Sequence, residues 1–235
     1  GADWIDRFDS SQNLWIESIR TNEEGRSIAT DGTDIYLGTA GGGLMVYDAN
    51  GSLLQTLDEA SSPSITSDFI QDMSYDAYTS TLSLSHPSQG LTVWNLSSGT
   101  VTEFNEQASG AQELDSDDVG EIATRSGIVY IGSDEEGVMR IDLTTNEVIG
   151  SWQSLGADEL DWAPIASDGT TVWLGLDGFG VLVYDRVTGE VLDRYTSGGG
   201  NQPGQGAMQS NDVFSVEADP YGGVLVGTSF GLERF

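Results

Sequence analysis

Short apolar stretches with period-two alternation recur along the whole chain, each broken by glycine, aspartate, asparagine or serine. No stretch carries the i, i+3, i+4 spacing of an amphipathic helix over helical length, so the pattern predicts strands and turns throughout. Five segments align with one another. Ile28, Met73, Ile122, Ile165 and Val216 occupy equivalent places, 45, 49, 43 and 51 residues apart. Each sits in a first strand that leads through a turn into a second, as in Ile35-Tyr36-Leu37-Gly38-Thr39 and Val172-Trp173-Leu174-Gly175-Leu176. A glycine-containing hairpin then gives a third strand (Leu44–Asp48, Leu91–Asn95, Val138–Asp142, Val181–Asp185) and a short turn gives a fourth.

A near-constant period with variable loops marks a repeat fold, and four antiparallel strands per unit describe a propeller blade. The last unit stops after its third strand, at Gly231-Leu232-Glu233-Arg234-Phe235. Trp4-Ile5-Asp6-Arg7-Phe8 reads like the fourth strand Val191-Leu192-Asp193-Arg194-Tyr195. The expectation is therefore an all-β, five-bladed β-propeller forming one domain over residues 1–235, with blades at 27–57, 69–104, 119–152, 162–195 and 213–235 plus 3–8. In it the N-terminal strand Trp4–Phe8 completes the last blade and closes the ring, leaving no interrupted edge. Both ends of the sequence read as strand, as if the chain were cut from a longer one.

Ser210-Asn211-Asp212-Val213-Phe214-Ser215-Val216, followed by Asp219, Gly222-Gly223, Val226-Gly227-Thr228 and Gly231-Leu232, resembles the two-component-regulator propeller repeat. The first unit matches in part through Asp31-Gly32, Gly38-Thr39 and Gly43-Leu44, and the fourth through Asp168-Gly169, Trp173-Leu174-Gly175 and Gly180-Val181. The second departs, with Leu84 where the pattern has glycine. The resemblance implies a propeller from a secreted or sensor-type protein, often a carbohydrate-sensing one. It brings no catalytic residues with it.

Charge changes the picture most. The 235 residues hold 38 acidic and 8 basic side chains, the latter all arginine, for a formal charge of −30. Such a surface repels nucleic-acid phosphates and anionic lipid. It fits salt adaptation, because acidic surfaces without lysine stay hydrated and their self-repulsion is screened over about 3 Å at 1 M salt. No apolar run approaches the roughly 20 residues of a membrane-spanning helix. Cysteine is absent, which excludes disulfides, thiolate metal sites and a cysteine nucleophile.

In a propeller the connections from one blade to the next share a face with the hairpins between second and third strands. Those connections are long here, at 9–26, 58–68, 105–118, 153–161 and 197–212. Binding loops on a rigid frame tend to be the long ones. Trp15, Phe69, Trp162, Phe179 and Phe230 lie in or beside them, with Asp177, Asp134 and Glu135 nearby. Flat rings beside acids are the parts of a sugar platform, although rings are also what fills the gaps between blades. Asp115, Asp117 and Asp118 form the acidic run that could bind calcium, without the complete loop pattern of a known calcium motif. No other cofactor is implied.

His86, in His86-Pro87-Ser88-Gln89-Gly90, reads as a solvent-exposed turn residue. The recurring Asp31, Asp168 and Asp219 read as turn aspartates bonding their own backbone. Asn50-Gly51-Ser52 and Asn95-Leu96-Ser97 match the glycosylation acceptor pattern. The reading these features favour is a non-catalytic, monomeric binding or scaffold module, extracellular or at the cell surface, that takes a glycan or a protein on its long-loop face. Two rivals remain. One is a glycan-active enzyme with carboxylates at the funnel, for which Asp68, Asp118, Asp161 and Asp212 are the acids nearest the mouth. The other is a structural unit of a larger surface protein.

Overall fold

The computed structural model describes residues 3–9, 11–133, 137–152, 163–176, 178–198, 208–219 and 221–235. Within them 21 strands form six antiparallel sheets arranged as a β-propeller. The first sheet is a hairpin of β1 (Asp3–Asp9) and β2 (Leu14–Thr21). The second runs β3 (Gly25–Thr30), β4 (Ile35–Thr39), β5 (Leu44–Tyr47) and β6 (Leu53–Leu57). The third runs β7 (Asp72–Asp76), β8 (Thr81–His86), β9 (Gly90–Asn95) and β10 (Val101–Phe104). The fourth holds β11 (Ile122–Arg125), β12 (Ile128–Ser133), β13 (Gly137–Asp142) and β14 (Glu147–Trp152). The fifth holds β15 (Ile165–Ser167), β16 (Thr171–Leu176), β17 (Gly180–Asp185) and β18 (Val191–Tyr195). The last has three strands, β19 (Val213–Ala218), β20 (Val224–Thr228) and β21 (Gly231–Arg234).

Two expectations fail here. The propeller has six sheets rather than five blades, and the N-terminal strand does not complete the last one. β1 instead pairs with β2, Ile5 opposite Ile19 and Phe8 opposite Trp15. The stretch read as a long connection at 9–26 therefore contains a strand. The physical reason is local. Asp9 Oδ1 accepts the N–H groups of Ser11 (2.9 Å) and Gln12 (3.1 Å), closing a tight turn that returns the chain directly onto β1. A neighbour four residues away costs far less closure entropy than one at the far end of the sequence.

The same device closes the turn between third and fourth strands elsewhere. Asp48, Asn95, Asp142 and Asp185 each accept backbone N–H groups two to four residues on. By this criterion β1 and β2 are the outer two strands of a blade. Their inner face packs Ile5 and Ile19 on Leu37, Met45 and Tyr47 of the second sheet.

First strands lie side by side around the axis: β3 against β7, β7 against β11, β11 against β15, and β15 against β19. Between successive sheets the apolar faces interlock, Leu82 and Leu84 against Leu44 and Leu57, and Val213, Val224 and Val226 against Trp173 and Val181. Tyr130, Tyr184 and Phe104 are fully buried in these layers. Burial of an apolar side chain such as Phe104 contributes roughly 1.5–3 kcal/mol. The glycines that open third strands have a packing cause. Gly43, Gly90 and Gly180 have φ of 75°, 85° and 87°, and a Cβ on them would collide with the carbonyl oxygens of Leu57, Phe104 and Tyr195 on the adjoining fourth strands.

Candidate functional site

The first strands line an axial channel of about 680 Å³. Its wall is mixed. Ser74, Thr124 and Ser215 present hydroxyls between apolar positions such as Ile122 and Val216, and three carboxyls enter from three different sheets: Asp72, Glu121 and Glu217. Asp72 begins β7 and Glu121 immediately precedes β11, so the two occupy the same place in successive repeats. Glu217 lies within β19.

Burial pushes the Asp72 carboxyl up, against two backbone bonds that favour its anion, from the N–H of Ile122 (2.9 Å) and of Met73 (2.8 Å). Glu121 is pushed up to about 7, first by burial and then by the charges of Asp72 and Glu217. A carboxyl near 7 beside other carboxyls holds a proton for much of its time at neutral pH, which is the state required of a general acid or a hydrogen-bond donor.

The remaining charged groups of the wall are engaged elsewhere. Asp219 pairs with Arg234 at 2.7 Å, the only ion pair among the described residues. Asp168 Oδ1 accepts the N–H groups of Thr170 (2.7 Å) and Thr171 (2.8 Å); burial opposes ionisation there, but these bonds outweigh it and hold the carboxyl low. The guanidinium of Arg125 lies against Gly169. Asp31, Asp168 and Asp219 are thus turn aspartates, as their recurrence implied.

The aromatic residues do not form one platform. Phe179 and Phe230 sit at the tips of the β16–β17 and β20–β21 hairpins, 42% and 73% exposed. Phe69 is bridged to Ala40 at the β4–β5 hairpin, beneath the Arg26 guanidinium at 4.9 Å. Trp15 directly follows the Asp9 turn and packs edge-on against Phe8 at 5.2 Å. That turn lies with the other third-to-fourth-strand turns, since Arg7 bonds the Ala49 carbonyl there. Trp15 is therefore at the opposite end of the sheets from Phe179 and Phe230. Trp162, Asp177, Asp134, Glu135 and Asp161 lie outside the described residues.

Asp115, Asp117 and Asp118 do not converge. Asp117 and Glu106 bind each other's backbone N–H groups reciprocally (2.6 and 3.0 Å), and Asp68 and Glu59 repeat this lock one blade earlier (2.8 and 3.2 Å). Asp115 accepts from Ser151 Oγ at 3.3 Å. Among the described residues, no group of three or more His, Cys, Asp or Glu is arranged to hold a metal ion. Asp68 and Asp117 thus serve as loop caps, and Asp72 and Glu121, a few residues further on, are the acids that reach the channel.

His86 is not an exposed turn residue. It ends β8 wholly buried, with Nδ1 3.0 Å from the Phe69 carbonyl and Nε2 2.9 Å from Thr92 Oγ1. The carbonyl can only accept, so Nδ1 carries the proton and Nε2 accepts from Thr92. Thr66 then donates to Thr92 through its N–H at 3.1 Å. Burial drives the imidazole down to about 4, and the neutral His86 ties the β6–β7 connection at Phe69 to Thr92 of its own sheet.

No protein-family model matches the chain, and no curated protein matches it. Among solved structures it is similar to the extracellular domain of a putative hybrid two-component system from B. thetaiotaomicron, with a TM-score of 0.68 at 19% identity. The match covers 92% of this chain and 29% of that one, so the chain spans under a third of that structure's length. At this identity the likeness is one of fold, and it agrees with the propeller architecture without extending to the repeat motifs. Among the described residues no helix is long and apolar enough to cross a membrane.

Proposed function

We propose that this chain is the ligand-binding module of an extracellular sensor, and that its ligand enters the axial channel from the face bearing the Phe179 and Phe230 hairpins. The observation that carries this reading is the convergence of Asp72, Glu121 and Glu217 in one cavity without a cationic partner among the described residues. Carboxyls and hydroxyls alternating along a channel wall suit a ligand rich in hydrogen-bond donors: a glycan, or a polar segment of a protein partner. The likeness to an extracellular two-component domain supports a sensing role, and the charge of −30 supports a salt-rich exterior as its medium. Calcium, if it acts, would have to meet the exposed loop acids rather than a preformed cage.

Calorimetric titration with a panel of neutral and amino-substituted oligosaccharides tests the reading, repeated on Glu217→Gln. A ligand whose affinity falls at least tenfold in that variant supports it. Binding that is indifferent to Glu217, and lost instead on replacing Phe230, moves the site to the outer face.

A second reading has one specific observation in its favour. Glu121, pushed up to about 7 by burial and by the neighbouring carboxyls of Asp72 and Glu217, has the raised value that the general acid of a glycan-active enzyme requires. Release of reducing ends from an oligosaccharide, abolished by Glu121→Gln, would establish it.

A further inference from the structure

The three axial carboxyls meet few other charges. From β7 Asp72 is the charged residue that lines the channel, with Met73, Ser74 and Tyr75 beside it. Arg125, on the far end of β11, is turned to Gly169. Asp168, after β15, and Asp219, after β19, are taken up by Thr170 and Thr171 and by Arg234. Arg26, on β3, is bound through Nε and Nη2 to Gln71 Oε1 (3.2 and 2.8 Å) and lies over Phe69.

Asp72 and Glu121 are partly withdrawn from solvent while Glu217 is exposed; like charges so placed cannot all ionise at ordinary cost, and the least costly relief is one shared proton. Asp72 is its poorer holder, because the two backbone N–H groups on its oxygens favour the anion. The side chain of Glu121 accepts no hydrogen bond among the described residues, and nothing there favours its charge.

We propose that Asp72, Glu121 and Glu217 form a proton switch in the axial channel, in which Glu121 takes up and releases the proton that the three carboxyls share. The switch is a regulation of the channel taken above as the ligand site, and its biological use rests on that reading. With the proton on, Glu121 offers the channel a hydrogen-bond donor. With it off, the channel gains a negative charge, and a cationic group gains a stronger site. By linkage, a cationic ligand would then bind more tightly above neutrality and release a proton as it binds, and a neutral acceptor-rich ligand would show the reverse.

The ligand-free chain decides the switch. Carboxyl carbon resonances of glutamate- and aspartate-labelled protein are followed by NMR from pH 4 to 9 at fixed ionic strength. One glutamate should titrate near pH 7; that resonance should be missing in Glu121→Gln, and its midpoint should move down in Glu217→Gln as a neighbouring charge is removed. If every carboxyl titrates below pH 5.5, or the neutral midpoint survives in Glu121→Gln, the proposal is overturned. Should Glu121→Gln fail to fold, an unmoved midpoint in Glu217→Gln overturns it equally. Because no ligand is present, a failed glycan titration leaves this result standing, and a failed proton titration leaves the binding site standing.

Discussion

Asp72 Oδ2 accepts the backbone N–H of Ile122 at 2.9 Å, from one blade to the next. Two further bonds continue it at strand spacing, Thr124 N–H to Ser74 Oγ at 3.0 Å and Gly127 N–H to Asp76 Oδ2 at 3.0 Å. Side chains of β7 thus serve as a ladder partner for β11, whose inner edge would otherwise leave its N–H groups unpaired. The carboxyl that contributes charge to the channel therefore also joins its walls.

Replacing Asp72 with alanine removes that grip and leaves a half-buried N–H without an acceptor. The expected cost is about 2 kcal/mol, roughly 4–8 °C in a domain of this size. Asn retains one acceptor oxygen where the aspartate uses two, so Asp72→Asn should lie between alanine and wild type. Thermal unfolding at pH 5.5 checks the order. An alanine variant as stable as wild type would mean that the β7–β11 contact is held by apolar packing alone.

His86 and Glu121 give opposite pH signatures. His86 falls from 6.5 to about 4 on folding, so between those values the unfolded chain binds more protons and stability rises with pH. Glu121 rises from 4.5 to about 7, so in that interval the folded chain binds more protons and stability falls with pH. From pH 4.5 to 6.5 the two largely cancel; above 6.5 only Glu121 remains, and the melting temperature should decline to about pH 7.5. His86→Gln, which keeps a donor and an acceptor, should unmask a decline starting near pH 5. A melting curve that stays flat in that variant would contradict the assignment.

The strands were legible because each residue pair obeys the pleat: Ile35-Tyr36-Leu37 and Val172-Trp173-Leu174 alternate between the two apolar layers, and the glycines fall where strands turn. The sheet count was not legible, because Trp4-Ile5-Asp6-Arg7-Phe8 is as close to Val191–Tyr195 as to Gly231–Phe235, and third and fourth strands share one text. The missing clue was Asp9. An acid or amide right after an aromatic at the end of the strand, as in Tyr47-Asp48, Trp94-Asn95 and Tyr184-Asp185, marks a third strand about to turn, and Phe8-Asp9 has the same form. The channel acids escaped notice for a different reason. Asp72 and Glu121 belong to no motif, and only their equivalence one residue before Met73 and Ile122 set them apart from the other acids of the chain.

Charge predicts a monovalent-salt dependence. With −30 charges and one ion pair among the described residues, raising NaCl from 0.1 to 2 M should increase the melting temperature steadily, as the screening length contracts from about 10 Å to below 3 Å. Millimolar calcium at constant ionic strength should add little beyond this, because the carboxylates of Asp115 and Asp117 are spent on Ser151 and on the Glu106 N–H, and among the described residues no three such groups share a centre. A rise of several degrees with calcium alone would show a site that those loops assemble only around the ion.

The placement of the N-terminal hairpin can be tested through Ile19. Were β1 the fourth strand of the last blade, Ile19 would lie in an exposed connection and its truncation would change stability by no more than about 0.5 kcal/mol. In the structure Ile19 is 5% exposed and packs on Leu37, Met45 and Tyr47. Ile19→Ala removes buried methyl and methylene groups from a layer that cannot fully collapse, at a cost of about 2–4 kcal/mol. Asp9→Ala should act in the same direction by about 1 kcal/mol through the turn that pairs Phe8 with Trp15, and should alter the fluorescence of Trp15 as that ring loses its partner. The two effects belong together: a large Ile19 effect with a silent Asp9 variant would keep the hairpin on the second sheet but make its turn incidental, and two silent variants would return β1 to another neighbour.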